Sequence, residues 1–200
     1  MDLRTPQAEY VDLFLPLHGA FQAENAAIAL AAAEAFFEGP LPAELVTEAL
    51  ASFRSPGRLE VMGREPLVVL DGAHNVAGAE ALLDALDEEF LPAPRTLVVG
   101  LLREKDPRLM LRALGATRAE RLIVCRPPSA RALEPRVLAA AALELGVDPA
   151  RLDVAGTVEE GVTRALEGAP ADGQVVIAGS LYLVGEARTV LVSHLSESRP

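Results

Sequence analysis

Apolar residues fall along this chain in short blocks separated by longer stretches of helical spacing. Six blocks predict strands, over 59–62, 67–70, 96–100, 121–125, 152–154 and 174–178. Apolar positions recurring at i, i+3 and i+4 predict helices over 77–89, 107–114, 134–145, 158–166 and 181–195. The strand blocks are apolar at successive positions, as parallel strands covered on both faces are. Ahead of them the pattern changes. Residues 10–15 predict a strand and 17–22 a turn. An alanine-rich helix over 23–37 carries Ile28, Leu30, Ala31 and Glu34 at helical spacing, and Gly39-Pro40 and Pro42 stop it. A second helix is expected over 43–53, and Ser55-Pro56-Gly57 reads as a linker.

The expected fold is therefore α/β over residues 56–200: a Rossmann-like, mostly parallel sheet with helices on both faces. A short, mainly helical segment, 1–55, precedes it. The strand carboxyl ends of a parallel sheet share one edge, where ligands bind. Polar residues gather after the strands: Asp71 to Asn75, Arg103 to Asp106, Arg126 with Arg131, and Gly179-Ser180. Four loops thus place chemistry on one rim.

Composition narrows the function. Half of the 200 residues are apolar, enough for a sizeable core, yet no segment reaches the roughly 20 apolar residues of a membrane span. Met1-Asp2-Leu3-Arg4 lacks the basic and apolar regions of a signal peptide, so a cytoplasmic protein with no membrane partner is expected. The net charge of −11 argues against a nucleic-acid partner, while leaving room for arginines to focus on a small anion. Lys105 is the only lysine among 18 cationic residues. Cys125, the only cysteine, lies inside a predicted strand and reads as a small core residue.

The densest chemistry spans Pro56-Gly57-Arg58-Leu59-Glu60 and Asp71-Gly72-Ala73-His74-Asn75. A buried strand ending in a carboxylate and an imidazole, with a guanidinium nearby, suits recognition of a charged small molecule. Simpler roles remain open. Asp71 could cap the next helix, His74 could bond to backbone, and Arg58 could pair with Glu60. Asp106 before Pro107 fits a helix start, as does Ser180, whose position also suits anion binding. Asn25 could read an adenine edge or cap a turn. There is no Walker A sequence and no Gly-x-Gly-x-x-Gly opening a helix after the first strand. Three histidines and one cysteine make a multi-ligand metal site improbable, so no metal ligands are assigned.

Taken together, these motifs resemble the C-terminal part of the folylpolyglutamate synthase/dihydrofolate synthase family, in the Mur ligase superfamily. The resemblance rests on residues 17–26 (Leu-His-Gly-Ala-Phe-Gln-Ala-Glu-Asn-Ala), on Ser55 to Glu60, and on Asp71 to Asn75. Lys105-Asp106 with Met110-Leu111, and Gly179 to Glu186, complete it. Two positions depart from the family pattern: Phe21 stands where His is usual, and Val76 replaces the common Pro. Neither removes an essential charge.

The resemblance implies an ATP-dependent ligase that phosphorylates a folate or dihydropteroate carboxylate and lets the L-glutamate amine attack the acyl phosphate, with Mg²⁺ assisting. Carried over residue by residue, it implies nucleotide contacts from Asn25, Arg58 and Asp71. Glutamate contacts would come from His74, Ser180 and Lys105, with His74 and Arg58 closest to catalysis. It also implies an N-terminal ATPase domain with a P-loop and most Mg²⁺ ligands. Residues 1–55 then read as the last piece of that domain, and 56–200 as the C-terminal Rossmann-like domain. The chain is expected to be inactive alone and to expose apolar surface that favours self-association. A stand-alone small-ligand module and a fragment of a Mur-type cell-wall ligase are the competing expectations.

Overall fold

The computed structural model describes residues 1–197 and divides into two compact units, Met1–Pro56 and Gly57–Pro200. In the first, β1 (Leu3–Arg4) and β2 (Glu9–Tyr10) form a two-stranded antiparallel ribbon beside α1 (Phe21–Phe37) and α2 (Ala43–Ser52). The strand expected over 10–15 is not there. Only Tyr10 of that run lies in a strand, because Asp12 turns the chain with a left-handed φ of 55°; beyond the turn Leu13 exchanges backbone hydrogen bonds with Met1. Leu3, Tyr10, Leu13, Ala26, Leu30 and Val46 form this unit's core. Helix α1 buries Gln22, Ala26, Leu30 and Glu34, one residue per turn, and ends on Glu38 at φ 57°. The Glu34 carboxylate is fully buried and accepts the Tyr10 hydroxyl at 2.7 Å. Ile28, Phe36, Phe37 and Leu45 remain exposed.

The second unit is a six-stranded sheet in the order β3-β4-β8-β5-β6-β7. Its strands are β3 (Glu60–Arg64), β4 (Leu67–Asp71), β5 (Arg95–Val99), β6 (Arg121–Val124), β7 (Leu152–Val154) and β8 (Gln174–Ala178). Five are parallel, as expected. The first is not: β3 runs antiparallel to β4 and closes one edge. It is only partly buried, unlike the apolar interior strands. The helices are α3 (Val76–Glu89), α4 (Pro107–Ala113), α5 (Pro135–Glu144), α6 (Val158–Gly168) and α7 (Leu181–Glu197).

The chain moves outward from β4 through β5 and β6 to β7, with α3, α4 and α5 side by side on one face. It then returns to β8, in the middle of the sheet, and α6 and α7 cover the other face. Right-handed crossovers demand this, since reversing direction along the sheet moves the connecting helix across it. Val68, Leu70, Val98, Ile123, Val175 and Ile177 pack under α6 and α7 against Val162, Ala165, Leu183 and Ala187. Among the described residues, no helix is long and apolar enough to cross a membrane.

Cys125 follows β6 with no exposure, and Gly161 of α6 packs against it, where a Cβ would lie 3.3 Å from the cysteine Cβ. Burial, with a smaller contribution from Glu186, pushes the thiol up to about 12. The folded value lies above the ordinary 9.0, so its contribution to stability is whole below that pH and fades as pH climbs toward 12. The native chain is expected to leave a disulfide-exchange reagent unreacted at pH 8. It should release one thiol per chain after denaturation. Fast stoichiometric labelling of the native chain would contradict this packing.

Candidate active site

Three parallel strands end level at the middle of the sheet, where Asp71 of β4 and Val99 of β5 both pair with Ala178 of β8. The helices that follow β4 and β8 leave toward opposite faces. The two loops therefore flank the point where the chain switches faces, the position at which open α/β sheets bind ligands. Asp71 and His74 stand at the end of β4, and Ser180 at the end of β8.

Asp71 is 4 % exposed, and both of its oxygens are engaged. Oδ2 accepts the Leu59 N–H at 2.8 Å and Oδ1 the Ala73 N–H at 2.7 Å. It does not cap α3. That role belongs to Asn75, whose Oδ1 accepts the Gly78 N–H at 2.8 Å. Burial pushes the Asp71 carboxyl above its ordinary 3.8, while the two N–H bonds and the charges of Arg58 and His74 oppose the shift.

Through Leu59, Asp71 grips the loop that carries Arg58. Gly57 sits at φ +74°, open to glycine at little cost, and its carbonyl accepts the Gly72 N–H at 2.7 Å. Leu59 is 1 % exposed and holds a left-handed φ of 44°, strained for a branched residue. Between these two pinned residues Arg58 stands exposed, and among the described residues its guanidinium has no hydrogen bond or ion pair. It does not pair with Glu60, which bonds to Arg188 instead.

The His74 ring accepts or donates at Nδ1, 2.9 Å from the Gly72 carbonyl. A carbonyl only accepts, so Nδ1 carries the proton, and Nε2 has no partner among the described residues. Ser180 is 2 % exposed. Its Oγ accepts the Leu183 N–H at 3.1 Å, which caps α7 and leaves the hydroxyl proton to donate. Just before it, Gly179 lets β8 pass close to β5: a Cβ there would lie 2.8 Å from the Gly100 carbonyl.

Lys105 lies on the loop after β5, and its ammonium has no hydrogen bond or ion pair among the described residues. Asp106 caps α4 ahead of Pro107, as expected. The rim arginines are occupied: Arg131 reaches Glu104 at 2.8 Å and Arg126 reaches Glu134 at 3.5 Å. Asn25 belongs to the first unit, where it is exposed and donates from Nδ2 to Gln22 Oε1 at 3.2 Å. That bond leaves its oxygen and one amide hydrogen for a partner. No group of three His, Cys, Asp or Glu among the described residues is placed to hold a metal.

The pairing of Glu60 with Arg188 and the capping role of Asn75 were not foreseen from the sequence. Glu60 and Arg188 are 128 positions apart, and nothing local joins them.

A parallel sheet whose connecting helices switch faces at its middle defines a doubly wound α/β domain. Residues 57–181 match the family described as Mur ligase, glutamate ligase domain, and the chain belongs to it. The chain is 38% identical over 198 residues to a dihydrofolate synthase/folylpolyglutamate synthase of Mycobacterium tuberculosis, covering 90% of this chain and 40% of that protein. It is 35% identical over 184 residues to a folylpolyglutamate synthase of Lacticaseibacillus casei, covering 90% and 41%. The chain thus spans about two fifths of the length of these curated relatives. The solved structure of Mycobacterium tuberculosis folylpolyglutamate synthase complexed with ADP superposes with a TM-score of 0.86 at 38% identity, over 95% of this chain and 44% of that one.

Proposed function

We propose that this chain is the C-terminal part of an ATP-dependent ligase that adds L-glutamate to a folate or dihydropteroate carboxylate. The observation that carries the reading is that the Arg58 loop held by Asp71, His74 after β4 and Ser180 after β8 gather at one edge of the sheet, in a chain whose relatives are folylpolyglutamate synthases. A nucleotide is supported by the neighbour solved with ADP.

In this reaction the γ-phosphoryl group passes to the carboxylate, and ADP leaves. The glutamate amine then forms the C–N bond, phosphate leaves, and the amine gives up its proton. The exposed, preorganised Arg58 neutralises phosphoryl oxygens as charge builds. Asp71 holds the Arg58 loop and keeps lone pairs for ribose hydroxyls. His74 Nε2, left without a partner among the described residues, takes the amine proton or holds a glutamate carboxylate, which the Ser180 hydroxyl and Lys105 also attract. Asn25 presents an acceptor and a donor suited to an adenine edge. Mg²⁺ would screen the phosphates, and no group of three carboxylate, histidine or cysteine side chains among the described residues forms a set for it.

Residues 1–55 fit the closing part of an ATPase domain, and their exposed Phe36 and Phe37 favour association with the rest of it or with a second copy. A cytoplasmic setting follows from folate chemistry. The isolated chain should bind ATP weakly, because rim contacts without a phosphate cradle offset little of the association cost.

The test is to supply the chain with a P-loop ATPase domain and assay ADP release with folate and L-glutamate. Glutamylated folate is expected. A well-folded reconstituted enzyme that makes none would overturn the proposal. One relative supports a second reading: a UDP-N-acetylmuramoyl-L-alanyl-D-glutamate--2,6-diaminopimelate ligase of Corynebacterium efficiens is 30% identical over 204 residues. Turnover of a muramyl peptide in place of folate would favour it.

A further inference from the structure

We infer that Glu60 and Arg188 are positioning residues for Arg58, tying its loop to the helix that opens at Ser180. The inference rests on the reading of Arg58 as the phosphoryl-binding arginine. Glu60 Oε2 accepts the Gly57 N–H at 2.8 Å. Arg188 Nε reaches both oxygens of the same carboxylate, Oε1 at 3.1 Å and Oε2 at 3.2 Å. Arg188 projects from the middle of α7, whose first turn is capped by Ser180.

The Arg58 loop is therefore gripped from two sides. Asp71 holds it after Arg58, at Leu59, and Glu60 holds it before Arg58, at Gly57. Both gripped residues have positive φ, so the loop sits in a conformation that a free chain would leave. Asp71 alone secures one end. Without Glu60, Gly57 keeps its carbonyl bond to Gly72 but loses its N–H anchor, and glycine is the residue with most freedom to use that release.

Packing explains why the carboxylate must itself be held. A Cβ at Gly57 would lie 2.7 Å from Val184 Cγ1, so the loop rests directly on α7. Glu60 is mostly covered and Arg188 about half exposed, and a guanidinium fixes the carboxylate where an unpaired one would turn to solvent. One ion pair thus sets the height of Arg58 over the helix that presents Ser180. Phosphoryl and glutamate contacts are built on one rigid piece.

The experiment is a double-mutant cycle in the ligase that carries this chain, with hydrogen exchange on the 200-residue chain. Arg58→Met is expected to cut kcat/KM for ATP by about 10³-fold, and Glu60→Ala by roughly 10-fold or more. The double variant should be no worse than Arg58→Met alone, because Glu60 acts only through Arg58. The Gly57 amide should exchange at least about 10-fold faster in Glu60→Ala than in the parent chain. Arg188→Met should reproduce both effects from the surface of α7 and serve if Glu60→Ala folds poorly, and Arg188→Lys should restore part of the activity.

A silent Arg58→Met would overturn the reading of Arg58. A damaging Arg58→Met with additive losses in the double variant, or with unchanged Gly57 exchange, would overturn the positioning role and leave that reading standing.

Discussion

Asp71→Ala is expected to destabilise the second unit by about 2–6 kcal/mol, since it leaves two buried N–H groups unpaired at about 1–3 kcal/mol each. The donors are Leu59 and Ala73, both almost wholly buried, so water cannot take over. The loss reaches further than two bonds. Leu59 is held at a left-handed φ that a leucine adopts only under restraint, and Asp71 is that restraint. Asp71→Asn should be milder but still harmful, because one oxygen remains and the new NH₂ faces a donor. Urea unfolding of the chain and both variants measures this. A variant within about 0.5 kcal/mol of the parent would show that Asp71 is not the clamp. The pH dependence carries a sign. Burial raises the folded carboxyl above 3.8, so ionisation costs stability as pH rises through the window just above that value. Asp71→Asn should remove that decline.

In the proposed ligase, His74→Ala should lower turnover by about 10²–10⁴-fold, the range for loss of a positioned proton-transfer group. The stronger test is His74→Asn. Its amide can still donate to the Gly72 carbonyl, as Nδ1–H does at 2.9 Å, yet nothing remains at the Nε2 position. The fold should survive and activity should not. If His74→Asn retained near-parental turnover with an unchanged KM for glutamate, Nε2 would have no part in the reaction. Both variants should unfold close to the parent midpoint, because His74 is only partly buried.

Much of the candidate site was legible in the chain. Asp71, His74 and Ser180 follow apolar strand blocks, and residues there must emerge at one edge of a parallel sheet. The Asp106–Pro107 start of α4 was equally plain, because a cap acts within three residues. Roles that depend on a distant partner are not legible in spacing. Pairing of Arg58 with Glu60 was one open alternative, and Glu60 is the mate of Arg188. Capping by Asp71 was another, and Asp71 reaches back 12 positions to Leu59, leaving the cap to Asn75. The strand at β3 was recognised but its direction was not, since antiparallel pairing with β4 is a property of the turn and the edge.

By itself the sequence determined the parallel α/β core, the rim on which the polar loops gather, and the family. These follow from apolar spacing and from motifs whose meaning is local. Only the tertiary structure decided that Arg58 is exposed on a loop pinned at Gly57 and Leu59, and that Asp71 is the pin at Leu59. It also decided that Nδ1 of His74 is occupied while Nε2 has no partner among the described residues. The physical reason is that hydrogen-bond partners and burial are set by packing between segments far apart in the chain, and spacing carries no record of them.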